Sequence, residues 1–388
     1  MSNNLKIRSH GVLGTHHSWA VTMRSLIRPW VSQRHDLYLL STNGYNDIPR
    51  EWGKFFIVDK GHIKGVPDTW RDLPKRKDCK TPDIDICYTL PRNFRARYAK
   101  RAKLKLGIYN YETSRLPSEW LGEVNRVDYL LPSSNFSKWV FVNSGIDPNK
   151  CIVVPHGVNR KEFEDDKRTV MLGNQKKFRF LNVSIPHYRK NINILLEAYY
   201  TAFDAKDDVC LVLKTDLNPP KGRKRYMFEA DVAQDIRAIQ IHYTKLGKNL
   251  PQVEIIQQRF DSMAPLYNSC DCLVSASSSE GFGLPLLEGL AANMLVVSPR
   301  CTGQLDFLNN DNSILYSVKE VIAPERYQYW RPTDGATTFM PHKDDLAAAM
   351  RNAYENGADL KKKFTDGREK ILKEFTWENA ANKIVGLL

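Results

Sequence analysis

The stretch Ser279-Glu280-Gly281-Phe282-Gly283-Leu284-Pro285-Leu286-Leu287-Glu288 sets two carboxylates eight positions apart, with a glycine-rich turn between them. Just before it, Cys272-Leu273-Val274-Ser275-Ala276 reads as a strand. Just after the turn, the apolar run through Leu290-Ala291-Ala292 reads as a helix. A strand that ends in glycines and then opens a helix brings a small-residue loop and a positive helix end to one point. A negative ligand group is favoured there.

The same strand–helix alternation extends in both directions. Upstream, strands are expected at Leu5–Arg8, His35–Ser41, Ile84–Tyr88, Leu106–Tyr111, Tyr129–Pro132 and Cys151–Pro155. A helix is expected over about 19–33, where Trp19, Met23, Leu26, Ile27 and Trp30 recur at spacings of three and four. The rhythm pauses in the charged stretch 161–177, the best candidate for a linker. It restarts with strands at Phe178–Ser184, Cys210–Lys214, Val253–Ile256, 272–276 and Leu295–Ser298, and helices near 191–204 and 226–246. The fold class is therefore α/β. With 388 residues, two successive nucleotide-fold halves are expected, with domains over 1–165 and 175–364 and a ligand cleft between them. Residues 317–341, with Tyr327, Tyr329, Trp330, Arg331 and Pro332, fit no regular pattern.

The 279–288 segment resembles the E-x7-E signature of retaining glycosyltransferases of the GT4 family. That resemblance implies the GT-B fold, two Rossmann-like domains facing each other across a cleft, with a C-terminal helix over 365–388 crossing back to the first domain. It covers nearly the whole chain and is most specific over 279–292. By the same resemblance Glu280 contacts hydroxyls of the donor sugar and Glu288 accepts from both hydroxyls of the nucleotide ribose. The backbone of Gly281, Phe282, Gly283 and Leu284 approaches the donor. Lys190, before the helix that starts at Ile192, takes the family's phosphate-binding lysine position, with Arg189 beside it. A second phosphate-binding arginine of the family falls on Ser184 here, so Arg189 or Lys214 is expected to supply that charge. Cations suit this task because negative charge develops on the departing diphosphate. Gly14 and Thr15, followed by His16 and His17, form the facing loop of the first half.

Further matches are Gly107–Thr113 with Leu116–Trp120, Leu131–Ser134, and Val154-Pro155-His156-Gly157-Val158. Many relatives carry a histidine before position 112, near the sugar's 6-hydroxyl. Tyr109-Asn110-Tyr111-Glu112 stands there instead, and Glu112 reads either as a cleft residue or as a helix cap. His156, in the His-Gly-Val turn, is expected to shape the interdomain side of the cleft rather than to transfer protons. In Thr302-Gly303-Gln304-Leu305-Asp306, where relatives often have paired glycines and an acidic residue, Gly303 and Asp306 match. The neighbourhood of the base is expected near Gln257-Gln258-Arg259-Phe260.

The net charge of +13 is uneven. Residues 1–165 hold 27 Lys/Arg against 17 Asp/Glu, and 60–105 hold 14 against 5. Such asymmetry suggests an anionic partner for the first half (nucleic acid, an anionic membrane or an acidic glycan) or else a solvated surface, and charge alone does not choose among them. The family resemblance points to a lipid-linked glycan at a membrane surface, with nucleic acid as the alternative. The segment Arg92–Lys105 is the candidate contact, although it carries no clear recognition-helix motif. No run approaches the roughly 18 apolar residues of a membrane span. The seven cysteines form no C-x2-C pair, which favours reduced thiols in a cytoplasm, with Cys270 and Cys272 as core fillers. Asp83-Ile84-Asp85 has the D-x-D spacing of a metal site but reads better as a strand edge, and the resemblance implies chemistry without a bound metal.

The expected function is transfer of a sugar, with retention, from a UDP- or GDP-linked donor to a hydroxyl acceptor. The donor is a substrate, with no tightly bound cofactor. The expected location is the cytoplasm or the inner membrane face. Glycosylation of modified DNA or another nucleic acid is the first alternative, and a non-catalytic basic binding module on the same scaffold is the second.

Overall fold

The computed structural model describes residues 4–14, 18–42, 48–57, 76–217, 229–325 and 332–388. The expectations for Thr15, His16, His17, Tyr327, Tyr329, Trp330 and Arg331 lie outside them. Two compact units are present. One comprises Met1–Tyr111, Leu116–Gly157 and Phe375–Leu388, and the other Glu112–Arg115 and Val158–Glu374.

The first unit contains β1 (Lys6–Gly11), α1 (Ser18–Ser32), β2 (Asp36–Ser41), β3 (Ile84–Tyr88), β4 (Leu104–Ile108), α2 (Ser118–Val124), β5 (Tyr129–Leu131) and α3 (Asn135–Asn143). Its five strands are parallel in the order β2-β1-β3-β4-β5. Every residue of β3 is buried, as a central strand covered on both faces requires. Cys151 makes a single bridge to Leu130, so the strand expected at 151–155 does not form.

Asp83 and Asp85 are already engaged by the protein. Arg8 on β1 donates to Asp85 at 3.1 and 3.2 Å and to Asp78 at 2.8 Å. Asp83 accepts from the Lys6 amide at 2.8 Å and pairs with Lys103 at 2.7 Å. Asp85 therefore sits inside a central strand as half of a buried ion pair, not at a sheet edge. The basic segment is likewise packed. Phe94 is fully buried, the Arg97 carbonyl accepts from Arg8, the Ala99 amide donates to Asp85, and Leu104 and Lys105 belong to β4.

The second unit contains α4 (Arg160–Asp165), β6 (Phe178–Val183), α5 (Ile192–Ala202), β7 (Val209–Lys214), α6 (Val232–Lys245), β8 (Gln252–Ile256), α7 (Ala264–Tyr267), β9 (Cys272–Val274), α8 (Leu284–Ala291), β10 (Leu295–Pro299), β11 (Ile314–Tyr316), β12 (Val318–Ile322), β13 (Thr337–Pro341), α9 (Lys343–Glu355), α10 (Gly357–Lys363) and α11 (Thr365–Glu374). Its main sheet is parallel in the order β11-β10-β9-β6-β7-β8, and β12 and β13 form an antiparallel hairpin within the region that showed no sequence pattern. The expected linker begins with α4, whose Phe163 packs edge-on against Tyr267 at 5.6 Å. The chain thus enters this unit at Val158, before the charged stretch.

The helix expected over 365–388 is two helices. After α11, α12 (Trp377–Val385) begins with Thr376, whose hydroxyl caps the Asn379 amide. Within the first unit, α12 lies against α1, where the Trp30 indole donates to the Ala381 carbonyl at 3.3 Å.

Candidate active site

In the second sheet the chain runs from β6 outward through β7 to β8, then returns to the other side of β6 with β9. The order of strands reverses between β6 and β9. In open parallel sheets, ligands bind beyond the carboxyl ends of strands at such a point. The loops that leave β6 and β9 carry Arg189, Lys190 and Glu280.

After β6, Tyr188–Lys190 makes one tight turn, and Asn191 follows at φ 47°, ψ 47°. That left-handed conformation is tolerated by asparagine better than by most residues. The Asn191 side-chain Nδ2 donates to the Ala276 carbonyl at 2.9 Å and to Ser278 Oγ at 2.7 Å. The loop after β6 is thereby fixed to the loop after β9. Lys190 Nζ then reaches Glu280 Oε1 at 2.5 Å.

Arg189 is buried, and its guanidinium donates to Glu280 Oε2 at 3.3 Å and to the Ser279 carbonyl. It also lies 3.6 Å from Glu112 Oε1. This short segment, Glu112–Arg115, is held to the second unit further along, where the Thr337 amide donates to Ser114 Oγ at 2.7 Å. Arg189 therefore braces the loop, while Lys190 is the more accessible cation.

Burial alone would raise the Glu280 carboxyl. Lys190 and Arg189 outweigh it and hold Glu280 at about 2, fully ionised. Burial pushes the Lys190 ammonium down, an effect resisted by Glu280. Burial raises Glu112, against the pull of Arg189 and with the push of Glu280. Two cations and two carboxylates thus share one partly enclosed spot.

Glu288, two turns along the same segment, is different. Burial raises it to about 7, opposed by a 2.8 Å hydrogen bond from the Tyr267 hydroxyl. No pattern in the sequence marks Tyr267, which ends α7 just before β9.

Gly283 opens α8 at φ 92°, a conformation that glycine adopts freely. Phe282 is buried and its ring lies 5.0 Å from that of Phe307, so only its backbone remains for a donor; the side chain belongs to the core. Ser184 donates to Asn182, near the end of β6, at 2.7 Å. Lys214 ends β7, where burial lowers its ammonium. A small cavity lined by Ser184, Lys190, Glu280, Gly283 and Pro285 lies among these groups. A larger one, about 310 Å³, lies at the opposite, amino ends of β6 and β9, away from the charged cluster.

In the first unit Gly14 is buried after β1. His156 is also buried, beside the Trp377 ring at 5.7 Å, and burial pushes its imidazole down to about 3, which removes it as a proton carrier at neutral pH. Among the described residues, no group of three or more His, Cys, Asp or Glu is arranged to hold a metal ion, and no helix is long and apolar enough to cross a membrane.

Residues 177–324 match the family model of glycosyl transferases group 1. Solved structures share the fold over the whole chain. A glycosyltransferase from Rickettsia africae is 17% identical, with a TM-score of 0.67, covering 99% of this chain and 98% of that one. HepE from Anabaena, solved with UDP and glucose, is 13% identical, with a TM-score of 0.66 and 99% of each chain covered. Sucrose-phosphate synthase from Thermosynechococcus elongatus is 15% identical, with a TM-score of 0.65, covering 99% and 98%. No protein of curated function matches the sequence. The fold is GT-B, with two Rossmann-like units, and residues 177–324 carry the similarity to glycosyl transferases group 1.

Proposed function

We propose that this chain transfers a sugar, with retention, from a nucleotide-diphosphate donor to a hydroxyl of an anionic acceptor. The observation that carries the reading is the Lys190–Glu280 pair, braced by Arg189, at the carboxyl ends of β6 and β9. A diphosphate beside Lys190 would take over part of its charge from Glu280. Glu280 would then be released toward the sugar hydroxyls while remaining ionised. Lys190 gains most as the sugar–oxygen bond breaks, because charge on the diphosphate is largest then. The acceptor hydroxyl attacks the anomeric carbon on the face that the diphosphate leaves, and its proton passes to a leaving-group phosphate oxygen. No enzyme nucleophile enters this scheme.

The ribose is assigned to Glu288 and the sugar to Glu280. HepE's complex with UDP and glucose supports a UDP-linked donor. For the acceptor we favour a lipid-linked glycan, with nucleic acid as the outcome to be excluded; the basic excess of residues 1–165 supports an anionic acceptor of either class. Incubation with a panel of UDP- and GDP-sugars, read by donor hydrolysis and by protection against thermal unfolding, tests the donor. A chain that no nucleotide sugar protects and that hydrolyses none of them would overturn the reading.

A further inference from the structure

Beside Glu280 lies a residue whose backbone conformation is out of character. Thr302, in the turn after β10, has φ 57° and ψ −152°. That region is essentially reserved for glycine, and a β-branched side chain makes it costlier still. Strain of this kind persists only where the surroundings hold it, and here the partners are identifiable. The Glu280 amide donates to Thr302 Oγ1 at 3.0 Å. The Thr302 hydroxyl in turn donates to Gln304 Oε1 at 3.0 Å. Gln304 is fully buried and is anchored by its own amide nitrogen to the Pro299 carbonyl at 3.2 Å.

The next residue completes the grip. The Gly303 amide donates to the Glu280 carbonyl at 3.0 Å. The two backbones are so close that a Cβ at position 303 would stand 2.4 Å from the Gly281 carbonyl oxygen. Both backbone polar groups of Glu280 are therefore held by Thr302 and Gly303. The N–H is held by a side-chain oxygen that glycine at 302 would lack.

We propose that Thr302 is a positioning residue. It accepts backbone strain so that its hydroxyl can fix the Glu280 backbone and aim the carboxylate between Lys190 and the donor sugar. This deepens the proposed function and rests on Glu280 contacting the donor. The device has a recognisable signature. A threonine replaced by glycine loses the strain together with both hydrogen bonds of the hydroxyl, to the Glu280 amide and to Gln304, so stability and turnover separate.

The test uses the full chain and three variants, Thr302→Gly, Thr302→Ala and Thr302→Ser, with donor hydrolysis measured on UDP-glucose and GDP-mannose. Thr302→Gly is expected to unfold at or above the wild-type temperature, with kcat reduced about tenfold or more and KM changed less than about threefold. Thr302→Ala should lose turnover similarly and be less stable than Thr302→Gly. Thr302→Ser, which keeps the hydroxyl, should recover turnover to within about threefold of wild type. Wild-type kcat in the glycine and alanine variants, a defect confined to KM, or a serine variant as poor as alanine would each overturn the proposal. If the wild-type chain turns over neither donor and binds neither, the donor reading fails. The positioning claim is then judged on stability alone, in a cycle of Thr302→Ala, Glu280→Ala and the double variant. Additive losses overturn it, and coupling between the two sites supports it.

Discussion

The two carboxylates of the 279–288 segment share a loop and a helix but not an environment. Glu280 is flanked by Lys190 and Arg189 and is held at about 2. Glu288 has the Tyr267 hydroxyl as its hydrogen-bond donor, with Glu162 nearby adding to the push of burial, and stands at about 7. One carboxylate is thus ionised at any working pH. The other changes charge within the physiological range. Sequence spacing treats them as a matched pair, but the neighbouring elements make one a fixed anion and the other a titrating group.

Breaking the Glu280 end should have the largest effect. Glu280→Ala leaves two buried cations with one carboxylate fewer and is expected to lower the unfolding free energy by about 3 kcal/mol in urea titrations near pH 7. Adding Lys190→Met should return part of that loss, since an uncompensated buried cation is removed. A double variant no more stable than Glu280→Ala would mean that Lys190 is not the cation left uncompensated. The sign with pH follows from the depressed carboxyl. The wild-type contribution is fully present above the unfolded carboxylate range near 4.5 and fades as pH falls toward 2.

Glu288 should respond in the opposite sense. Glu288→Gln is expected to weaken donor binding by roughly 1.5–3 kcal/mol in calorimetry, because one carboxylate contact to the ribose is lost. Its fold should not suffer. A raised carboxyl favours the folded state less as pH climbs from the unfolded value toward 7, so at pH 8 the glutamine variant should be at least as stable as wild type. Unchanged donor affinity would remove Glu288 from the ribose.

A finer measurement uses pH itself. If the carboxylate is the binding form, affinity for UDP-glucose should fall up to about tenfold between pH 8 and pH 6. The diphosphate of a nucleotide sugar bears no group that titrates there. Tyr267→Phe removes the hydrogen bond that favours the charged form, so the fall should move to higher pH and affinity at pH 7 should drop a few-fold. A flat wild-type profile would mean that the two carboxylates do not differ as their surroundings imply.

The smallest effect is expected away from both. Arg92, Lys100 and Arg101 are exposed in the β3–β4 connection. Changing all three to glutamine should alter stability by no more than about 0.5 kcal/mol and leave donor affinity intact. Binding to anionic vesicles and to DNA, each measured against salt, then reports whether these charges face the acceptor. No change in either assay assigns them to solvated surface.

The sequence by itself determined the alternation of strands and helices, because burial on both faces of a parallel sheet leaves short continuous apolar runs such as Val209–Leu213 and Leu295–Val297. It also determined the glycine turn, a local property of glycine spacing, and the resemblance of the 279–288 segment to the GT4 signature made Glu280, Glu288, Lys190 and Arg189 candidates. Tertiary structure decided what each of them touches. Arg189 became a brace because Ser279 and Glu112 close around it. Glu288 acquired Tyr267 from a helix 21 positions back. Asp85 was spent on Arg8 across the strand pair, and the basic run beyond Arg92 was drawn into the sheet by Phe94 and Ala99. Thr302 gives the clearest case. Its strain and its hold on the Glu280 amide arise from a contact between two loops 22 residues apart, and no local pattern encodes a pairing at that distance.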